Sequence, residues 1–209
     1  MSRYIGAICR LCRREREKLF LKGKRCFASN CVMNRNKGKT VPGQHSMFYR
    51  NKTSDYARHL REKQKARRIY GITERQFSNY YKKAESQKGA TGTNLIKLLE
   101  FRLDNIVFHL KFALSKKMAR QIVTHGKILV NGNKLNIPSY QVKIGDVITV
   151  LNNYKTIALK NTNENLNSKV PSWLNLDQKN LTGRVLSTPL LSELLNNIDS
   201  QLIVEYYSK

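Results

Sequence analysis

Acidic residues are scarce in this chain of 209 residues, where 14 Asp and Glu oppose 39 Lys and Arg and leave a formal net charge of +25. Long apolar runs are missing too: no stretch approaches the roughly 20 residues of a membrane span. The N-terminus lacks the apolar core of a signal peptide. We therefore expect a soluble protein that stays in the compartment where it is made and binds a polyanion.

Catalytic groupings are also missing. The four histidines are scattered without an HExxH pair, and neither a GxSxG motif nor a Gly-rich phosphate loop is present. An RNA-modifying enzyme that borrowed a binding module would need a further catalytic domain of about 150 residues, and residues 150–209 are too few. We expect no catalytic site.

The positive charge is distributed unevenly along the chain. Residues 1–90 hold 24 basic and 6 acidic residues, residues 91–150 hold 9 and 3, and residues 151–209 hold 6 and 5. A surface that only keeps a protein soluble normally mixes both signs. The N-terminal part is therefore the expected main site of phosphate binding.

Periodicity and turn signals predict an α+β protein. One helix is expected between Ser54 as N-cap and Gly71, and a second after Thr73, with Phe77, Tyr80, Tyr81 and Ala84 buried. Residues 94–113 have the apolar stripe of one helix, and Ser115 begins another that Gly126 ends. The Asn131-Gly132 pair predicts a hairpin, residues 152–168 a connecting or covering segment, and QLIVEYYSK at the C-terminus a strand.

Three segments follow from these patterns. Residues 1–45 form an N-terminal segment, and residues 46–92 form a helical RNA-binding domain. Residues 93–169 form an RNA-binding module with a helix pair and a small antiparallel sheet. The resemblance described below adds that residues 170–209 complete the helical domain.

All four cysteines lie within the first 31 residues, as Cys9-x2-Cys12 and Cys26-x4-Cys31. Four thiolates satisfy the tetrahedral coordination of zinc, and the many nearby Arg and Lys residues favour thiolates by lowering thiol pKa values. A metal could also supply the folding energy of so polar a segment. The prediction is one Zn2+ bound by these four residues in a zinc knot, with two disulfides or four incidental thiols as alternatives.

Basic side chains recur along the helix predicted after Ser54. Steps of three or four residues place four of them on one face, which two more widen; in chain order the six are Arg58, Arg61, Lys63, Lys65, Arg67 and Arg68. Such a stripe can follow a phosphate backbone, although a charged helix face is also commonly just solvated. Only Glu62 balances it locally, which favours RNA. Asp104 is interpreted structurally, as a partner of Arg102 or another nearby base.

The second module has basic residues at the start of a helix, where a bound phosphate would offset their repulsion by the helix dipole. The candidates there are Lys116, Lys117, Arg120, Gln121, Lys127 and Asn131. Asn131 is equally well explained as a hairpin residue.

The run from LEFRLDNIVFHL to KIGDVI resembles the RNA-binding module named after ribosomal protein S-four. RYIGAICRLCRRE, PGQH, SDYARHLREKQKARRIYGITERQF and LIVEYYSK resemble the bacterial-type S-four family, colinearly over essentially the whole chain. The resemblance implies a protein of the small ribosomal subunit that binds the 5′ domain of its RNA early and nucleates assembly. It also implies a contribution to translational accuracy, and in some members repression of their own messenger.

The implied partners are small-subunit ribosomal RNA, the neighbouring proteins S-five and S-three, and messenger RNA where it enters the ribosome. No membrane or small-molecule partner is expected. Further candidate RNA-binding residues are Arg3, Arg10, Arg13, Arg14, Arg50 and Lys52. The expected location is the cytoplasmic ribosome, with a plastid or endosymbiont ribosome as an alternative. The alternative function is a zinc-dependent RNA-binding regulator outside the ribosome.

Overall fold

The computed structural model describes residues 4–35, 40–44, 54–164, 170–189 and 198–208. The chain divides into two compact units, one of Met1–Gly92 with Asn197–Lys209 and the other of Thr93–Asn196. No helix within the described ranges has the length and apolar character needed to cross a membrane.

The first unit is helical in its described residues, and the second combines helices with one antiparallel sheet, so the predicted α+β class is confirmed. The α-helices of the described residues are α1 (Ile8–Glu15), α2 (Asp55–Tyr70), α3 (Glu74–Glu85), α4 (Thr91–Glu100), α5 (Leu103–His109), α6 (Lys116–Thr124), α7 (Lys155–Glu164) and α8 (Ser200–Tyr207). The strands are β1 (Ile128–Val130), β2 (Asn133–Leu135), β3 (Val147–Val150), β4 (Leu174–Asp177) and β5 (Thr182–Val185).

The bounds of α2 and α3 follow from their capping residues, as predicted. The Ser54 hydroxyl accepts a hydrogen bond from a backbone N–H in the first turn of α2, and Gly71 ends that helix in the left-handed conformation at φ 64°. Thr73 and Gln76 form a capping box at the start of α3. The buried face of α3 contains the four residues expected there.

The C-terminal run forms helix α8, so the predicted strand is wrong. The Asp199 carboxylate accepts hydrogen bonds from two N–H groups of the first turn, and such a cap favours a helix. Ile203 of α8 is buried, and the Tyr207 ring stacks on Tyr81 of α3 with centroids 4.5 Å apart. Packing against α2 and α3 therefore outweighs the β-propensity of the run, as tertiary context commonly does.

The single helix predicted over residues 94–113 is interrupted at Arg102, which separates α4 from α5. Arg102 is extended, at φ −69° and ψ 138°, and its backbone forms a bridge with Gln141. Its buried guanidinium donates hydrogen bonds of 3.0 and 2.7 Å to the two carboxylate oxygens of Asp104. The structural role predicted for Asp104 is thus confirmed, and the same pair explains the break.

The five strands form one antiparallel sheet in the order β2-β1-β3-β5-β4. Asn131 and Gly132 join β1 to β2 with positive φ angles of 50° and 82°, which confirms the predicted hairpin turn. One face of the sheet packs on α5 and α6 around a buried apolar core. Residues 152–168 contain helix α7, whose Ala158 lies in that core.

The stretch after Val170 is divided between the two units. Strands β4 and β5 extend the sheet of the second unit, with β5 paired to β3, whereas α8 packs in the first unit. The sequence analysis had placed residues 170–209 in the helical domain as one block, and only Asn197–Lys209 cluster there.

Candidate nucleic-acid interface

Much of the basic stripe on α2 is paired with acidic residues that are distant in sequence. Arg61 and Arg68 both contact the Glu15 carboxylate of α1, the former at 3.4 Å. The Lys65 ammonium lies 2.8 Å from a Glu17 carboxylate oxygen. These pairs tie α2 to the N-terminal segment.

The Glu15 carboxylate is buried between these arginines. Burial raises its pKa above the ordinary value, although Arg68 and Arg61 pull it down, and burial likewise lowers the pKa of Arg68. Both shifts have the same cause, the removal of charge from water. The pair therefore holds α1 against α2 at an appreciable desolvation cost.

Lys63, a predicted RNA contact, is buried in the first unit, with only 4% of its side chain exposed. Its ammonium lies 2.7 Å from a Glu74 carboxylate oxygen and 4.5 Å from the centre of the Tyr206 ring. Arg67 contacts the other Glu74 oxygen at 3.4 Å. Lys63 thus has a structural role. Of the six predicted α2 residues, Arg58 is the most exposed, beside Asp55 at 3.7 Å.

Helix α3 carries an exposed basic face that the sequence analysis missed. Arg75, Asn79, Lys82 and Lys83 are exposed, opposite the buried aromatic face of the same helix. Their spacing of three and four residues was visible in the sequence.

The predicted residues of the N-terminal segment have different environments. Arg10 is exposed on α1, whereas Arg13 donates hydrogen bonds to the backbone carbonyl and the hydroxyl of Thr40 at 3.1 and 3.2 Å. Arg14 is half-buried and acts electrostatically on Glu15. Arg3, Arg50 and Lys52 lie outside the described residues.

In the second unit, two of the predicted basic residues point inward. Arg120 is buried and lies 3.9 Å from Asp104. The Lys116 ammonium is enclosed near the Phe108 ring, and burial lowers its pKa despite the attraction of Glu100 and Asp104. Lys117 and Gln121 are exposed on the outer side of α6, and Lys127 is half-buried.

Asn131 has both polar atoms of its side chain engaged within the protein. Its amide N–H donates to Asp146 at 2.8 Å, and its amide oxygen accepts from the Val147 N–H at 2.9 Å. This residue therefore holds the hairpin against the loop before β3, which is the structural alternative given for it above.

Two exposed lysines of the second unit were missed. Lys134 on β2 and Lys143 in the loop before β3 are both exposed. Gly126 makes room for Lys134, because a Cβ at that glycine would lie 2.5 Å from the lysine Cε. The Lys134 side chain thus lies against Gly126, the residue before Lys127, so positive charge is concentrated at the turn between α6 and β1.

The predicted zinc site is wrong. The four cysteines, all within the described residues, line one small pocket and form no disulfide. However, no group of three or more His, Cys, Asp or Glu side chains in the described part of the chain is arranged to hold a metal ion. Burial raises the pKa of the Cys12 thiol, whereas the sequence analysis expected neighbouring bases to lower it. Burial therefore favours the neutral thiol, which is the poorer ligand.

Buried side chains and ion pairs with α2 hold the N-terminal segment in place. Cys12, Leu19, Cys31 and Val41 are buried together with their neighbours, and the pairs made by Glu15 and Glu17 join the segment to α2. The expectation that a metal supplies the folding energy of this polar segment is therefore wrong. Several of its apolar residues are enclosed, although Phe20 and Phe27 are exposed.

Two protein-family models match the chain. The first, described as Ribosomal protein S4/S9 N-terminal domain, matches residues 3–100. The second, described as S4 domain, matches residues 101–148. The two matches are contiguous and follow the chain from the N-terminal segment into β3.

Curated relatives are similar over the full length of the chain. The small ribosomal subunit protein uS4 of Endomicrobium trichonymphae is 60% identical over 210 residues. The protein uS4A of Clostridium novyi is 52% identical over 210 residues, and uS4 of Thermus thermophilus is 47% identical over 211. Each match covers 100% of both chains.

Proposed function

The chain belongs to the uS4 family of small ribosomal subunit proteins, and we propose that it is a structural constituent of that subunit which binds ribosomal RNA. The family is a structural one and not a family of enzymes. The observation that carries the proposal is the full-length match to uS4 proteins, with the S4 domain at the centre of the chain.

The proposed contacts are polar side chains, nearly all basic, that the fold leaves exposed or partly exposed. In the first unit they are Arg10, Arg58, Arg75, Lys82 and Lys83, and in the second Lys117, the uncharged Gln121, the half-buried Lys127, Lys134 and Lys143. Each cation neutralises a phosphate and releases counterions. Because the set is rich in Lys and Arg on helix surfaces and a hairpin, recognition depends on RNA shape more than on base edges.

Most of the remaining predicted residues are engaged within the protein. We assign Lys63, Lys116, Arg120 and Asn131 to holding the fold, since they are buried or bonded within it. The pairing of Arg61, Lys65 and Arg68 with Glu15 and Glu17 assigns these three to the same role. Arg3, Arg50 and Lys52 stay predictions.

Binding of the RNA fixes several of its helices relative to each other and so reduces their conformational freedom. By the family resemblance, we propose that this occurs early in assembly, in the 5′ domain of the small-subunit RNA, and that the subunit's accuracy depends on it. Proteins S-five and S-three and the incoming messenger RNA are the proposed neighbours, and the ribosome is the proposed location. By the same family resemblance, we propose that the protein represses translation of its own messenger RNA.

A charge-reversal experiment tests the proposed RNA contacts. We expect the triple variant Arg75→Glu, Lys82→Glu, Lys83→Glu to bind a small-subunit ribosomal RNA transcript more weakly. The slope of log affinity against log salt should fall by roughly two to three, because about one counterion is released per phosphate contact. The measurement is filter binding at several salt concentrations.

The matched control reverses three exposed lysines of the near-neutral C-terminal part, Lys155, Lys160 and Lys179, with the same change in net charge. Equal losses in the two variants would mean that only overall charge matters and would contradict the assignment of α3. Sedimentation tests the role itself: a structural constituent is stoichiometric in small subunits, whereas a regulator outside the ribosome is free or substoichiometric.

A further inference from the structure

Two phenylalanine rings stand together on the surface of the N-terminal segment. The Phe20 and Phe27 side chains are stacked, with centroids 5.1 Å apart and ring planes inclined by 29°. Phe20 is 43% exposed and Phe27 75% exposed. Aromatic rings normally bury most of their apolar area, so a stacked pair that faces solvent requires an explanation.

The backbone beneath these rings is strained and well fixed. Phe20 has a φ of 50°, a left-handed conformation that is a genuine outlier for a bulky residue. The 3-10 turn Gly23–Cys26 lies between the two phenylalanines in the sequence. The N–H of Lys22, which precedes this turn, donates to the Cys26 sulfur at 3.3 Å. The Phe27 N–H donates to the Lys24 carbonyl at 3.1 Å. Strain that the surroundings maintain is commonly found at binding sites.

The sequence around the two phenylalanines contains only basic charged residues. Lys24 and Arg25 lie between Phe20 and Phe27 in the sequence and are exposed, and the neighbouring Lys18 and Lys22 are half-buried. No Asp or Glu occurs from Lys18 to Ser54. A partner that covers the rings must therefore carry negative charge that interacts favourably with these basic residues.

We propose that Phe20 and Phe27 form a stacking platform for an unpaired base of the ribosomal RNA, with Lys24 and Arg25 contacting the adjoining phosphates. This inference rests on the proposed function and adds a site to it. Every base has a π-face, so such a platform accepts any base that the folded RNA leaves unpaired. A nucleotide combines a flat ring with a negative charge, which matches this surface better than the apolar patch of another protein would.

The test compares full-length variants for binding to a small-subunit ribosomal RNA transcript. Phe27→Ala should weaken binding by roughly five- to a hundredfold, the range found when one stacked base loses its aromatic partner. Phe27→Leu should weaken it comparably, because leucine is apolar but has no π-face, whereas Phe27→Tyr should bind as the parent does. The salt slope should stay unchanged in these variants and fall for Lys24→Ala with Arg25→Ala.

Ultraviolet crosslinking of the complex, read by mass spectrometry, should place a nucleotide on Phe20 or Phe27. Full affinity in both Phe27→Leu and Phe27→Ala would overturn the platform, and so would full affinity in Phe27→Leu alone, which would indicate an apolar contact that does not depend on base stacking. If the unaltered chain itself shows no preference for this RNA, the proposed function fails first. Melting curves check that the variants fold, as the exposure of Phe27 predicts.

Discussion

At the scale of single residues, the same residue type has two roles in this protein. Lys63 and Lys82 are both lysines on helices of the first unit, but the former is buried against Glu74 and Tyr206 and the latter is exposed. A buried charge that loses its partner is strongly destabilising, while an exposed one interacts mainly with solvent and with whatever binds there. Substitution of the buried Lys63 should therefore lower stability, whereas substitution of the exposed Lys82 should leave stability nearly unchanged.

Replacing Lys63 by Glu should lower the free energy of unfolding by about 3 kcal/mol or more, because two carboxylates would then be enclosed together. The control is Lys82→Glu, which should change stability by less than about 0.5 kcal/mol but weaken RNA binding. Urea unfolding followed by circular dichroism measures the first effect. A Lys63→Glu protein as stable as the parent would show that the buried pair contributes nothing.

Residue roles that depend on neighbours in the sequence could be predicted, whereas roles that depend on distant partners could not. Ser54, Thr73 and the Asn131-Gly132 turn act on groups within a few residues of themselves, so their roles were predictable. Glu15 reaches Arg68 across 53 positions, and no local pattern indicates that partner. The α2 stripe therefore looked uncompensated, because its acidic partners Glu15 and Glu17 are distant in the sequence.

At the scale of elements, α8 is joined to α2 and α3 by a polar cluster around Glu74. The Tyr207 hydroxyl donates to Glu74 at 2.9 Å, as Lys63 does at 2.7 Å, and His59 of α2 lies 2.9 Å from Glu205 of α8. Burial alone would raise the pKa of Glu74, but the hydrogen bonds from Lys63 and Tyr207 outweigh it and hold the pKa below the ordinary 4.5.

A lowered pKa makes Glu74 a source of acid sensitivity. Its contribution to stability is fully present above pH 4.5 and is lost as the pH falls through the lower value of the folded state. Glu74→Gln should therefore be less stable than the parent near pH 7, and the difference should narrow at about pH 3. Urea unfolding at both pH values measures this. The control, Glu85→Gln at the exposed end of the same helix, should differ little at either pH, and a Glu74→Gln difference that is constant with pH would contradict the prediction.

At the scale of the whole molecule, the first unit is built from both ends of the chain, whereas the second is continuous. The sequence indicated the order of the second unit as far as β3, since its helices, hairpin and strand follow one another, but it did not indicate that β4 and β5 belong there. It did not indicate that α8 would be a helix, because the stabilising contacts are with α2 and α3, more than a hundred residues earlier.

Removal of residues 198–209 tests this division. We expect loss of hydrogen-exchange protection in α2 and α3, because Phe77 and Tyr81 would lose their contacts with the Tyr207 ring. Amides of β1 and β3 should keep their protection, since that core lies within the second unit. The control is Ser208→Ala at full length. Uniform loss across both units would show that they unfold as one.

The discontinuity of the first unit also orders events during biosynthesis. Translation delivers the residues of α8 after those of α3 and of the whole second unit, so the aromatic face of α3 stays uncovered until then. The second unit is complete as a sequence before α8 is made. The nascent protein can therefore fold the sheet with its basic hairpin first, and α8 packs on the N-terminal helices later.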